Sequence, residues 1–196
     1  MLPAVLEEML HICEEKGLQK PSCYQGDYNL ITRGMETKLL PILRAHSMTF
    51  YGFRYVCGSL ITARFDDANA TTRPLAAGFL TGKLTNNQTT GTRFDPSNPL
   101  STPMKSLYGD DELHVGMKKF VVAVKEHGLS PAEVAIRWLA HHSALRDDDG
   151  IILGASRVEQ IVETVGFVGK GLLGKELLGA AEELWEVVRG VRGDVI

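Results

Sequence analysis

Apolar positions recur at helical spacing near the start of the chain. Leu6, Met9, Leu10 and Cys13 share one face of a helix predicted over residues 3–16. Pro3 suits its first position and Gly17 its C-terminal cap. The run from Pro21 to Gln25 reads as a short strand, and Leu39, Leu40 and Leu43 give one face to a helix over residues 36–44. Met48 to Phe53 is rich in aromatics and reads as another strand. Thr81 to Asp110 is rich in Gly, Asn, Thr, Ser and Pro and reads as one long loop. Helical patterns return over residues 111–127 and 131–142. The second opens on Ser130, Pro131 and Glu133, which are the N-cap, first-turn proline and third-position acid of a capping box. Ile151 to Leu153 is predicted as a short buried strand, running through Gly154-Ala155-Ser156 into a helix. There Ser156 and Glu159 would form a second capping box, with Val158, Ile161, Val162 and Val165 as the apolar face. A last helix, over about 175–189, aligns Leu177, Leu178, Ala181, Leu184, Trp185 and Val188.

Strands alternating with helices imply parallel βα units. Three or four short strands cannot close an eight-stranded barrel, so the pattern is either a small open α/β sheet or part of a barrel. The 196 residues suffice for one domain, and 44% hydrophobic with 23% charged residues fits a globular chain. A net charge of −3 disfavours nucleic acid as the main partner, because phosphate binding needs a basic face. No apolar run reaches the ~18 residues of a membrane span, and Met1 opens no signal-peptide pattern. Cys13, Cys23 and Cys57 have no metal-ligand spacing and leave an odd thiol, which suits a reducing cytoplasm.

Two segments could hold an anion. In Ile151 to Gln160, a strand ends, Gly154 allows close backbone approach, and a helix begins with unsatisfied N–H groups beside Ser156 and Arg157. An ordinary capped helix with a solvated arginine fits the same pattern. In Pro74-Leu75-Ala76-Ala77-Gly78-Phe79-Leu80-Thr81-Gly82-Lys83, two glycines and a lysine in a turn could hold a pyrophosphate, although the spacing is not that of a Walker motif. A plain glycine-rich turn is the alternative. His141 and His142 project about 100° apart on a helix and cannot share a metal; one partly buried and one exposed ring is expected. Trp138 and Trp185 read as core anchors, and Asp147-Asp148-Asp149 as a solvated turn.

Together, Tyr24-Gln25-Gly26-Asp27-Tyr28-Asn29, Phe50-Tyr51-Gly52-Phe53, the Pro74–Lys83 turn and Gly154-Ala155-Ser156-Arg157-Val158-Glu159-Gln160 resemble the aldo-keto reductases, in the family's order. Leu107-Tyr108-Gly109-Asp110 and Arg137 to Ser143 add to the likeness. The details resemble the aflatoxin-aldehyde-reductase branch and its fungal relatives. The resemblance implies an α/β fold: a partial (β/α)8 TIM barrel, roughly strands five to eight with their helices. It implies NADPH as cofactor and a small aldehyde or ketone as substrate. It places Gln25 at the nicotinamide carboxamide and Phe53 where the family stacks an aromatic ring on the nicotinamide. It wraps Pro74, Leu75, Gly78, Leu80, Gly82 and Lys83 around the pyrophosphate, and sets Gly154, Ser156, Arg157 and Gln160 around the 2′-phosphate. Thr164 stands where the family usually has asparagine.

Two departures follow from the same likeness. The family's catalytic Asp, Tyr, Lys and His lie on its first four strands, and no residue here is assigned to any of them. The 196 residues are therefore expected to read as one N-terminally truncated domain that lacks the general acid. Self-association of the cut sheet, or a role as a non-catalytic cofactor- or protein-binding fragment, remains open, as does an incomplete gene model. Residues 54–73 have no family counterpart and are expected to be a retained intron or a loop insertion. Arg54-Tyr55-Val56 is compatible with an intron start, and an intron ending in the same phase would regenerate Arg73.

Overall fold

The computed structural model describes residues 2–52, 75–153, 155 and 157–195. Three strands form one parallel sheet in the order β1 (Cys23–Gly26), β2 (Thr49–Gly52), β3 (Gly150–Ile151). These are the three strands predicted from hydrophobic pattern. The fourth strand counted through the family likeness has no counterpart among the described residues. β3 is half-buried rather than buried, and it ends before Leu153.

The helix α1 (Pro3–Glu15) precedes β1 and buries Leu6 and Leu10. Gly17 closes it at φ 62°, and the Leu18 N–H returns to the Cys13 carbonyl at 2.8 Å, the bond pattern of a glycine-terminated helix. The helix predicted over residues 36–44 is in fact two, α2 (Met35–Lys38) and α3 (Leu40–Ala45), broken at Leu39. Pro41 explains the break: it has no N–H to give to the preceding turn, and its ring crowds that carbonyl.

The long loop expected over residues 81–110 contains a helix, α4 (Ser101–Tyr108). Pro103 falls in its first turn, where N–H groups lack partners anyway. Ser101, Met104 and Tyr108 recur on one face and are buried, a helical spacing that the surrounding polar residues obscure. Helices α5 (Asp111–Glu126) and α6 (Pro131–His141) follow. The Ser130 hydroxyl accepts the Glu133 N–H at 3.1 Å. The Glu133 carboxylate turns instead to Arg137 and Lys170. The chain then passes through β3 into α7 (Val158–Val168) and α8 (Lys175–Arg192). The cap of α7 is Arg157, without a side-chain hydrogen bond, so Glu159 lies one position too early for the capping box predicted with Ser156.

The core lies between one face of the sheet and these helices. Tyr24 and Phe50 point into it from β1 and β2, with ring centroids 6.2 Å apart. Trp138 and Tyr28 meet edge to face at 6.0 Å. Trp138 is the core anchor expected; Trp185 packs only partly buried at its margin. The segment after β1 carries Asp27, Asn29, Thr32 and Arg33, all buried. Their polar groups are satisfied locally and by α8: the Asn29 carbonyl oxygen of the side chain accepts the Ile31 N–H, and Arg192 donates to the Thr32 hydroxyl at 2.8 Å. The Gly193 and Val195 carbonyls approach Gly34 so closely that a Cβ there would lie 2.5 Å from each.

Asp149 corrects the reading of its turn as solvated. Its carboxylate is fully buried, paired with Arg44 and accepting the Phe50 and Arg146 N–H groups at 2.7 and 2.8 Å. It clamps the end of α3, the middle of β2 and the start of β3 together.

Candidate functional site

Alternation along the strands divides the sheet into two faces. Tyr24 and Phe50 take the helix-covered face, so Gln25 and Tyr51 take the other, and both are exposed. The register sets Gln25 directly opposite Tyr51, and Tyr51 opposite Gly150. The Tyr51 ring lies over Gly150, where a Cβ would come within 2.4 Å of the ring. An amide, a phenol and a bare backbone thus form one row across the uncovered face. Such a row offers a donor, an acceptor and a flat apolar surface. Tyr51 was not a predicted site residue. Its place depends on the register between β1 and β2, which no single strand encodes. Phe53 and Pro74 lie outside the described residues.

The predicted pyrophosphate turn is tight. Residues Ala76–Thr81 form a 3-10 turn in which Ala76, Ala77 and Gly78 all have positive φ, at 49°, 61° and 93°. Only glycine adopts this region freely, so the two alanines carry backbone strain. The Leu75 carbonyl accepts from Gly78 and Leu80, and the Thr81 hydroxyl donates to the Gly78 carbonyl at 2.7 Å. Gly78 has open space where a side chain would project. Gly82, at φ 77°, sits against Val121 of α5, which a Cβ would touch at 2.9 Å. Lys83 is exposed, whereas the Leu80 side chain is buried in the core, which leaves Leu80 only its backbone to offer a ligand.

Arg157 and Gln160 stand at the start of α7, where they line an open cleft of about 560 Å³ with Glu159 and Glu163. The helix N-terminus and Arg157 favour an anion there, while the two carboxylates oppose one. Gly154 and Ser156 lie outside the described residues. The Thr164 hydroxyl donates back to the Gln160 carbonyl at 2.7 Å and so is spent within the helix.

Two other polar clusters are structural. The Tyr28 hydroxyl donates to Glu36 at 2.6 Å and accepts the Ala144 N–H at 2.9 Å. Burial, and then the Glu36 carboxylate, push its pKa far above the ordinary phenol range, so it remains a neutral brace. His141 is exposed and contacts the Val168 carbonyl, while the partly buried His142 ring accepts the Leu173 N–H. Among the described residues, no three His, Cys, Asp or Glu side chains gather as a metal site, and no helix is long and apolar enough to cross a membrane.

The pattern that defines the Aldo/keto reductase family matches residues 3–186. The chain belongs to the aldo/keto reductase family. An aldo-keto reductase of Pseudocercospora fijiensis is 31% identical over 184 residues, covering 93% of this chain and 56% of that protein. The oxidoreductase sirO of Leptosphaeria maculans is 31% identical over 188 residues, covering 93% of this chain and 51% of its own length. Aflatoxin B1 aldehyde reductase member 2 of Rattus norvegicus is 29% identical over 199 residues, covering 92% and 47%. The chain spans about half the length of the curated relatives it matches. Its parallel sheet and helices are consistent with the α/β fold of that family.

Proposed function

We propose that these 196 residues form the NADPH-binding side of a carbonyl reductase, an arc of the family's barrel. The observation that carries the reading is the row of Gln25, Tyr51 and Gly150 on the uncovered face of the sheet. It offers an amide and an aromatic ring to a flat, polar heterocycle. The open space at Gly78 and the exposed Arg157 at the start of α7 suit a phosphate-bearing ligand. Arg157 would hold the 2′-phosphate, with Gln160 beside it. The turn from Pro74 to Lys83 would carry the pyrophosphate, and Gly154, Ser156 and Phe53 would complete the contacts. When bound, NADPH supplies hydride; the chain's own residues bind and orient it, with a small aldehyde or ketone as substrate.

Carbonyl reduction also needs a proton donor at the carbonyl oxygen. On this reading that donor lies outside the 196 residues, and its absence costs about 10²–10⁴ in rate. Residues 54–73 are read as an insertion or retained intron between β2 and the pyrophosphate turn. The test is a pair of measurements on the 196-residue polypeptide. NADPH titration by fluorescence should show saturable binding, and NADPH absorbance with a reactive aldehyde should show no enzymatic turnover. Absence of binding removes the cofactor role. Turnover near ~1 s⁻¹, within the ordinary enzyme range, shows that the chain holds its own general acid.

A further inference from the structure

Two adjacent histidines close α6, and their partners fix them in opposite tautomers. The His141 Nε2 lies 2.8 Å from the Val168 carbonyl, at the end of α7. A carbonyl only accepts, so this nitrogen carries a proton. The His142 Nε2 lies 2.8 Å from the Leu173 nitrogen, in the turn before α8. A backbone N–H only donates, so this nitrogen presents its lone pair, and the single proton of the ring sits on Nδ1. Protonating His141 leaves its bond intact. Protonating His142 takes the acceptor away from Leu173 and sets two N–H groups against each other.

These bonds belong to one clasp between α6 and the turn that joins α7 to α8. Arg137 of α6 donates to the Gly171 carbonyl at 2.9 Å and to the Leu172 carbonyl. Lys170 of the turn reaches back to Glu133 of α6 at 2.7 Å. Gly171 bends the chain at φ 71°, and the Leu173 side chain enters the core. Burial of His142 disfavours its charged form, and the charges of His141 and Arg137 on its own helix add to that; Glu182 of α8 pulls the other way. Together they hold its pKa below the ordinary imidazole range. Glu182 is already engaged by Arg33 and by the Trp138 indole. The positive charge of Lys170 is tied to Glu133, and the last turn of α7, residues 165–168, has no titratable side chain.

We infer that His142 is a proton-sensitive latch on the turn between α7 and α8: the neutral ring holds the turn closed on α6, and the protonated ring releases it. This inference goes beyond the cofactor reading and does not depend on it. A histidine whose folded pKa lies below its unfolded value of about 6.5 contributes fully above that value. The contribution is lost as the pH falls through the lower folded value. The opening is local. Arg137 and Lys170 stay charged throughout this range, so Arg137 goes on holding its two carbonyls and Lys170 its carboxylate. What loosens is the backbone at Leu173 and, with it, the seat of the C-terminal end of α7. The other end of that helix lines the cleft beside Arg157.

The test is hydrogen exchange of the 196-residue chain, read by mass spectrometry at about pH 8 and about pH 5, on either side of the imidazole range. Rates are corrected for the intrinsic pH dependence of exchange, and a peptide from α5 serves as the reference. Protection of the peptide spanning residues 169–174 should fall about tenfold at the lower pH, the scale of one hydrogen bond. His142→Gln keeps an acceptor that does not titrate and should make this protection independent of pH. His141→Gln should leave the wild-type fall in place. Nitrogen NMR of the wild-type histidine rings needs no variant, so the inference stays testable if a variant fails to fold. There His142 should titrate below about 6.5 and carry its proton on Nδ1 when neutral. Equal protection at the two pH values overturns the inference. So does a fall that persists in His142→Gln or vanishes in His141→Gln, and so does a His142 ring that titrates at or above its ordinary value.

Discussion

The guanidinium carbon of Arg33 lies 3.9 Å from the centre of the Trp138 ring. Arg33 is buried, and it donates to the Leu30 carbonyl at 3.1 Å and to Glu182 of α8 at 2.6 Å. The Trp138 indole N–H donates to the other Glu182 oxygen at 3.0 Å. Glu182 is 47% exposed, so the two ends of this pair differ in their access to water. Arg33→Met should cost about 1–2 kcal/mol, since the remaining carboxylate stays partly solvated. Glu182→Ala should cost more, about 3 kcal/mol, because it strands a buried guanidinium and a buried indole N–H. Urea unfolding of both variants measures the order; Arg33→Met as the more damaging change would contradict it.

Asp149 should govern part of the acid sensitivity. Burial pushes its carboxyl upward, but the hydrogen bond from Arg44 and those from the Arg146 and Phe50 N–H groups outweigh burial and hold it below its ordinary range. A depressed carboxyl stabilises the fold fully above its unfolded pKa of about 3.9. That contribution falls away as the pH drops through the folded value. Asp149→Asn should cost about 2 kcal/mol at pH 7 and lose less stability than the wild type between pH 5 and pH 2. Glu14 and Asp194 are also held low, by Lys20 and Lys38, but at exposed sites that salt screens. The Asp149 component should therefore persist at high salt; parallel stability–pH curves for wild type and variant would refute it.

The contact between Tyr51 and Gly150 gives a paired test. Gly150→Ala inserts a methyl group where the Tyr51 ring lies, and should destabilise by about 1–3 kcal/mol. Tyr51→Ala with Gly150→Ala should recover most of that loss, measured by thermal unfolding. Independent, additive effects would mean that the ring is not held over Gly150.

If NADPH binds as proposed, Arg157→Ala should weaken it about tenfold while leaving NADH nearly unchanged, because only NADPH carries the 2′-phosphate. A charge-assisted hydrogen bond of about 1.5–3 kcal/mol sets that scale. Calorimetric titration with both cofactors reads the difference; equal losses would take Arg157 out of that role.

The legible parts of the fold were those carried by local period and local chemistry. Leu6 and Leu10, the Ser130 cap, Gly17 and the three strands all declare themselves within a few residues. Helix α4 was hidden because Asn, Ser and Pro around Ser101 suggest a loop, while Met104 and Tyr108 are the only large apolar residues on its buried face. Pro41 was visible, but the leucines on either side masked the break it makes. Asp149 was misread because burial of a carboxylate depends on Arg44, more than a hundred positions away. In the candidate site, the family motifs pointed to Gln25, the glycine turn and Arg157. The side-by-side placement of Gln25 and Tyr51 is a matter of strand register, and Glu159 and Glu163 beside Arg157 become apparent only once α7 has its rotation.

The clasp between α8 and the segment after β1 also sets a schedule. Arg192 reaches Thr32 across 160 positions, and Glu182 reaches Arg33 across 149. At a synthesis rate of about 5–20 residues per second, Thr32 and Arg33 wait roughly seven to thirty seconds for their partners to be made. Throughout that interval water must serve the polar groups that α8 satisfies in the finished fold. Long-range closure of this kind is slow in its own right. Chaperones meeting the nascent chain would therefore find it unfinished until α8 has left the ribosome, however early β1 and β2 have paired.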